Sequence, residues 1–181
     1  MQAYPLTAHR TCPPLRVRAV EARVGRDDPH WLTLRWRIDG SSRLILPKPA
    51  GKRRRDGLWQ ATCFELFLRP EGSESYCEFN LSPSEGWNLY GFDRYREAMR
   101  ELPAARAPVC TMRRGSRFAI FDAAIPRNIL PGGDCAMGLS AVIEEAEGHK
   151  SYWAIAHPDG ERPDFHDPAC FAASFPATGP A

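Results

Sequence analysis

The sequence predicts an all-β protein, an antiparallel β-sandwich built as a single domain over residues 1–181, with one or two short helices. Three observations carry that expectation. Apolar and polar residues alternate in short runs, the spacing of a strand with one buried face. Turn residues separate the runs, and proline, at 17 of 181 residues, supplies many breaks and few places for a long helix. Helical periodicity is almost absent.

In chain order, Leu15, Val17 and Ala19 alternate with Arg16 and Arg18, and Leu32, Leu34, Trp36 and Ile38 alternate with Thr33, Arg35 and Arg37. Further strands are expected at 43–46, 62–68, 75–81, 87–92, 109–113, 117–125, 135–145, 151–157 and 170–175, about eleven in all. Two packed antiparallel sheets are the economical way to bury that many one-faced strands. A short helix is expected at 94–100, where Tyr95 and Met99 lie four apart, and a single turn at 126–130 after a proline start. The Pro- and Gly-rich stretch 47–57, with Lys52, Arg53, Arg54 and Arg55, reads as a flexible basic loop, and 176–181 as a short irregular tail.

Composition narrows the function. The chain is 43% apolar and 25% charged, enough for its own core, and its net charge of +2 is the small difference between 24 basic and 22 acidic residues. Disorder and a nucleic-acid partner are both disfavoured, since one basic run without a second stripe reads as a solvated loop. The start of the sequence lacks a basic stretch followed by an apolar one, and no run approaches 18 apolar residues, so a soluble cytoplasmic protein without a membrane partner is expected. Six cysteines with no Cys-x-x-Cys are expected to be reduced thiols, mostly buried in strands. No Gly-x-Ser-x-Gly elbow, phosphate-binding Gly-x-x-x-x-Gly-Lys loop, Gly-x-Gly-x-x-Gly fingerprint or His-Glu-x-x-His pair occurs, which disfavours phosphoryl transfer, hydride transfer and a metal centre.

The runs 62–68 and 75–81 are joined by only six residues containing Pro70 and Gly72, so they read as a hairpin. Their apolar sets are Phe64, Leu66 and Leu68 on one strand and Cys77, Phe79 and Leu81 on the other. Paired positions share a face, so paired numbers must sum to an odd value. A sum of 143 sets Glu65 opposite Glu78; a sum of 145 sets Glu65 opposite Asn80. Either register gathers Glu65, Phe67, Tyr76, Glu78 and Asn80 on the face away from the core, with Trp59 ahead of it and Trp87, Asn88 and Tyr90 behind. Carboxylates, amides and aromatic rings in one place suit sugar hydroxyls and sugar rings. Two carboxyls so close would repel and raise at least one pKa, and a retaining glycosidase also holds two carboxyls close together.

The string Leu58-Trp59-(x2)-Thr62-Cys63-Phe64-Glu65-Leu66-Phe67-Leu68, followed by Tyr76-(x)-Glu78-Phe79-Asn80-Leu81-Ser82-Pro83, Trp87-Asn88-(x)-Tyr90-(x)-Phe92 and Tyr95-Arg96, resembles bacterial DOMON-like proteins related to the family 9 carbohydrate-binding modules. Tyr152-(x2)-Ile155-(x)-His157 and Pro163-Asp164-Phe165-His166-(x)-Pro168 are similar to that group as well. The resemblance implies a β-sandwich whose relatives bind sugars or haem. The expectation is therefore a non-catalytic module for a small ligand, a carbohydrate or sugar derivative, with no cofactor. Trp59 and Trp87, or Tyr76, are expected to stack on the ring; Glu65, Glu78 and Asn80 to take hydroxyls; Tyr90 to line the site; and Arg96 or His157 to add a polar contact. Two alternatives stand beside it. One is a haem b carrier, with an axial pair drawn from Met99, Met112 or Met137 and His149, His157 or His166. The other is a weak glycoside-active enzyme using Glu65 and Glu78. Met137 reads as core filling, and His157 and His166 read most simply as histidines bonded to a turn or backbone group. The absence of Cys-x-x-Cys-His disfavours covalent haem attachment.

Overall fold

Strands dominate the computed structural model, which describes residues 1–177, so that most of the expected tail at 176–181 lies outside the described residues. In chain order they are β1 (Gln2–Ala8), β2 (Ala19–Gly25), β3 (Trp31–Asp39), β4 (Cys63–Pro70), β5 (Tyr76–Leu81), β6 (Trp87–Phe92), β7 (Arg100–Glu101), β8 (Val109–Arg114), β9 (Phe118–Pro126), β10 (Cys135–Glu145), β11 (His149–Ala154) and β12 (Ala173–Phe175). Every pairing between named strands is antiparallel. They follow one path, β7-β6-β5-β4-β10-β11-β1-β2-β3-β9-β8, with β12 beside the start of β10. The path folds into two layers at β1, whose residues Gln2 to Leu6 pair with β2 while Thr7 and Ala8 pair with β11.

The layers close on aromatic rings. Phe64 of β4 stacks on Phe121 of β9 at 4.3 Å between centroids, and Trp36 of β3 leans on both at 5.3 and 6.0 Å. All three are fully buried, with Leu66, Phe79, Leu81, Leu139 and Ile143 completing the inner face of the second layer. Such rings each bury a large apolar area and anchor the sandwich.

The expected strands from 62 onward are present, two of them with their expected ends, at 87–92 and 135–145. The strand expected at 15–19 is not: pairing begins only at Ala19. The reason is a carboxylate. Glu145, fully buried, accepts backbone N–H bonds from Leu15, Arg16 and Val17 at 2.7, 2.7 and 3.2 Å, so those donors are not free to pair with a neighbouring strand. At 43–46 there is a 3-10 turn, Ser41–Arg43, and a single bridge from Leu44 to Glu145. No helix forms at 94–100, because Arg96 and Ala98 take left-handed backbone angles, φ 55° and 54°. The turn expected after Pro126 does form, at Arg127–Ile129. The basic stretch is tied down at its centre, where Arg54 bridges to Trp87 and lies over its ring. Five of the six thiols are buried and all six are free.

One glycine fixes how the carboxy-terminal segment seats on the sheet. A Cβ on Gly138 of β10 would stand 2.8 Å from the Phe171 ring and 3.2 Å from the Cys170 carbonyl oxygen. Gly138→Ala is therefore expected to lift Phe171 off the strand and to lower the melting temperature by several degrees, the effect of about 1–3 kcal/mol of overpacking. A thermal melt checks this; an unchanged midpoint would mean that Phe171 has room to yield.

Candidate functional site

The outer face of the second layer is a polar and aromatic ladder laid down by register. Glu65 pairs with Asn80, so the hairpin takes the sum of 145, and Glu78 lies opposite Phe67. On the far side of β5, Tyr90 faces Glu78 and Asn88 faces Asn80. On the far side of β4, Ser140 faces Glu65, and Tyr152 of β11 follows through Val142. One rung across the sheet thus reads Asn88, Asn80, Glu65, Ser140, and the next reads Tyr90, Glu78, Phe67, Gly138.

This face is not a wet surface. Glu65 is 3% exposed and Glu78 6%, and their sheet neighbours Phe67, Tyr76, Tyr90 and Phe92 form a second apolar cluster with Phe165 and Phe171 of the carboxy-terminal segment. Between sheet and cover lies a cavity of about 400 Å³, lined by both glutamates with Trp59, Tyr90, Arg96, Tyr152 and His166 among others. That volume is within the range of small-molecule sites.

Each carboxyl is held by one oxygen. Ser140 Oγ donates to Glu65 Oε2 at 2.9 Å, and Asn80 Nδ2 donates to Glu78 Oε1 at 2.7 Å. The other oxygen of each has no hydrogen-bond partner among the described residues, and both side chains face the cavity. Burial pushes both carboxyl pKa values up from 4.5, and the charge of Glu78 adds to the effect at Glu65; the bonds from Ser140 and Asn80 and the positive charge of Arg96 oppose it.

Arg96 is placed by a strained segment. With its own backbone left-handed, it donates its N–H to the Tyr76 hydroxyl at 3.1 Å and its guanidinium to Asp164 Oδ1 at 2.7 Å. Tyr95 donates to the other Asp164 oxygen. Burial works to raise the Asp164 pKa, but these two donors outweigh it and hold the carboxyl below its ordinary range. His166 sits between: its backbone N–H bonds Asp164 Oδ1 at 3.1 Å and its Nδ1 lies 2.8 Å from the Tyr76 hydroxyl. The Tyr76 oxygen also accepts from the Arg96 N–H, and the second imidazole nitrogen, Nε2, stands 3.7 Å from Glu78 Oε2. Burial, reinforced by Arg96, lowers the His166 pKa to about 4, so the ring is neutral at pH 7 and its approach to Glu78 is not an ion pair.

Of the residues singled out in the sequence, Trp59, Glu65, Glu78, Tyr90 and Arg96 line the cavity. Trp59 stands on the Leu58–Gln60 turn, 40% exposed and edge-on to Tyr90 at 6.2 Å. Tyr76 and Asn80 lie beneath the cavity wall, with their polar groups spent on His166, Arg96 and Glu78. Trp87 is elsewhere. It pairs with Leu81 on the core side of β6, the opposite parity from Asn88 and Tyr90, and its ring lies under Arg54 at 4.4 Å. His157 is also elsewhere, with Nε2 at 2.8 Å from the Thr7 carbonyl and its ring against His9. Tyr152 and Phe165 also line the cavity, where the sequence does not single them out as site residues, and so does His166, which the sequence offers only as an alternative axial ligand or a turn-bonded histidine. The first is legible in the alternation of β11; the other two come from an irregular segment whose seating on the sheet has no local signature.

The residues do not fit an axial haem pair. Met137 is buried in the core, Met112 packs against it, and Met99 stands at the cavity rim. His166 shares the cavity with Met99, but its Nδ1 is engaged by Tyr76 and its Nε2 faces Glu78. Among the described residues no group of three or more His, Cys, Asp or Glu side chains is placed to hold a metal ion.

No family model matches the chain, and no curated protein matches it in sequence. Solved structures do match in fold. A proposed carbohydrate-binding protein from Bacteroides uniformis superposes with a TM-score of 0.66 at 17% identity, over 94% of this chain and 84% of that one. A carbohydrate-binding module of family 9 from Caldicellulosiruptor kristjanssonii, in complex with glucose, superposes with a TM-score of 0.52 at 10% identity, over 90% and 78%. The same kind of module from that organism in complex with cellotriose gives 0.52 and 10%, over 87% and 75%.

Proposed function

We propose that this chain binds a carbohydrate in the cavity on the outer face of its second layer and does not turn it over. The observation that carries the reading is the pairing, in one cavity, of an exposed indole with two buried carboxyls, each with one oxygen unbonded among the described residues. Trp59 offers an apolar face for a sugar ring; Glu65, Glu78 and the Arg96 guanidinium offer acceptors and donors for its hydroxyls. The fold shared with modules solved in complex with glucose and cellotriose supports the same class of ligand.

Binding is favoured over turnover by the electrostatics. Glycosidases drive their two carboxyls apart, one kept protonated as the acid and one ionised as nucleophile or base. Here the two environments are alike: Glu65 and Glu78 are both buried, and each accepts from a single neutral donor, Ser140 or Asn80.

The test is calorimetric titration of the wild-type chain and Trp59→Ala with glucose, cellotriose and other small sugars. Removing a central aromatic platform is expected to weaken binding by roughly thirtyfold, about 2 kcal/mol, with the melting temperature of the free protein nearly unchanged because the ring is 40% exposed. Full affinity in Trp59→Ala would remove this indole from the site.

A further inference from the structure

We propose that the ligand of this cavity carries a protonated amine, an amino sugar whose ammonium group sits between Glu65 and Glu78; this rests on the carbohydrate reading above and narrows it.

The balance of charge in the cavity points there. Three side chains of ordinary charge line it among the described residues, Glu65, Glu78 and Arg96. Arg96 and Asp164 neutralise one another at 2.7 Å, and Tyr95 also bonds the aspartate. The two glutamates remain, on adjacent strands and one rung apart; the Arg96 charge acts on both, but among the described residues its guanidinium forms an ion pair with Asp164 and with neither glutamate. His166 cannot serve, since it is neutral and its Nε2 stops 3.7 Å short of Glu78 Oε2, too long for a hydrogen bond. Two carboxyls in a dry site are stable only if protons or a cation compensate them.

A neutral sugar brings no charge to offset two carboxyls whose charged forms burial disfavours. An ammonium group answers both: it has three donors for the two unpaired oxygens, and its charge compensates them. The walls fit the same chemistry. Trp59, Tyr90, Phe92, Tyr152 and Phe165 surround the space with aromatic carbon, which attracts an organic cation through the ring faces. A bare divalent ion is poorly served by two carboxylates in aromatic walls, because calcium takes six to eight oxygen ligands. When the ammonium enters, the proton held by the glutamate pair leaves to the buffer.

Glucosamine, glucose and N-acetylglucosamine separate the possibilities, since the three share a ring and only the first carries a cationic amine at pH 7. Titration of wild-type protein is expected to show glucosamine binding at least tenfold more tightly than either of the others. That preference should collapse in Glu65→Gln and Glu78→Gln, whose folding is checked by thermal melt. Measured in two buffers of different ionisation enthalpy, the glucosamine heat should differ by the released proton. Equal or tighter binding of glucose would overturn the amine and leave the carbohydrate reading standing. Failure of all three sugars, and of cellotriose, to bind would overturn both.

Discussion

Glu145→Ala is expected to lower the melting temperature by about 6–12 °C, the effect of losing roughly 3 kcal/mol in a domain of this size. The carboxylate lies at the end of β10, is fully buried, and collects three backbone N–H groups from residues 15–17. Truncation leaves Val17 N–H, itself buried, without a partner, and opens space beside Leu44. Water can reach the Leu15 and Arg16 donors, which keeps the loss near 3 kcal/mol rather than the full desolvation cost of three groups. Glu144→Ala next door, whose side chain makes no hydrogen bond among the described residues, should stay within about 0.5 kcal/mol of wild type. Equal effects at the two positions would mean that residues 15–17 are not held by this carboxylate. Glu145→Gln should fall between, since an amide offers one acceptor where three donors converge.

The second large effect is a gain. Glu65→Gln is expected to be more stable than wild type at pH 8, by a few kcal/mol, while losing ligand affinity. Burial raises the folded pKa of Glu65 to about 8 from an ordinary 4.5, and Glu78 moves the same way to about 7. A group whose folded pKa is raised contributes stability that is fully present below its unfolded pKa and is lost as pH rises through its folded pKa. Wild-type stability from this pair therefore declines between about pH 4.5 and pH 8, and the glutamine variant escapes its share of that decline. His166 works in the other direction, because its folded pKa of about 4 lies below the ordinary 6.5 and so costs stability as pH falls between those values. Comparing wild type with Glu65→Gln at each pH cancels the histidine contribution. A stability difference that is flat from pH 5 to pH 8 would contradict the buried, charge-starved placement of Glu65. Acids that weaken a fold while lining its cavity are the pattern expected where function opposes stability.

Much of the fold, and the centre of the site, is legible in the amino-acid sequence. Period-two alternation locates β3 and the strands from 62 onward except the two-residue β7, and misses β1, while parity alone puts Glu65, Tyr76, Glu78 and Asn80 on one face, whichever register holds. Parity also sets Trp87 apart, since it shares its numbering class with Leu89 and not with Tyr90; its nearness in sequence to the polar residues conceals this. The features that local pattern misses depend on long-range partners. Residues 15–17 alternate like a strand, yet their donors belong to a glutamate about 130 positions away. The spacing of Tyr95 and Met99 reads as a helix, yet Arg96 is pulled left-handed into the Tyr76 and Asp164 network. The cover that turns an apparently solvated sheet face into a cavity comes from residues 163–171, a segment of turns with no periodicity to announce its place.

Five tryptophans offer the most direct test of the central claim, because only Trp59 lines the cavity while Trp36, Trp87 and Trp153 are buried in the core and Trp31 stacks under Arg106 at the other layer. The indole N–H signals of uniformly nitrogen-15-labelled protein, followed during titration with glucosamine and with glucose, read all five at once. Carbohydrate binding on the outer face predicts a saturable shift of the Trp59 signal alone, accompanied by backbone amides of Glu78, Arg96 and His166. A Trp59 signal that stays fixed through both titrations, or shifts confined to the other tryptophans, would contradict it.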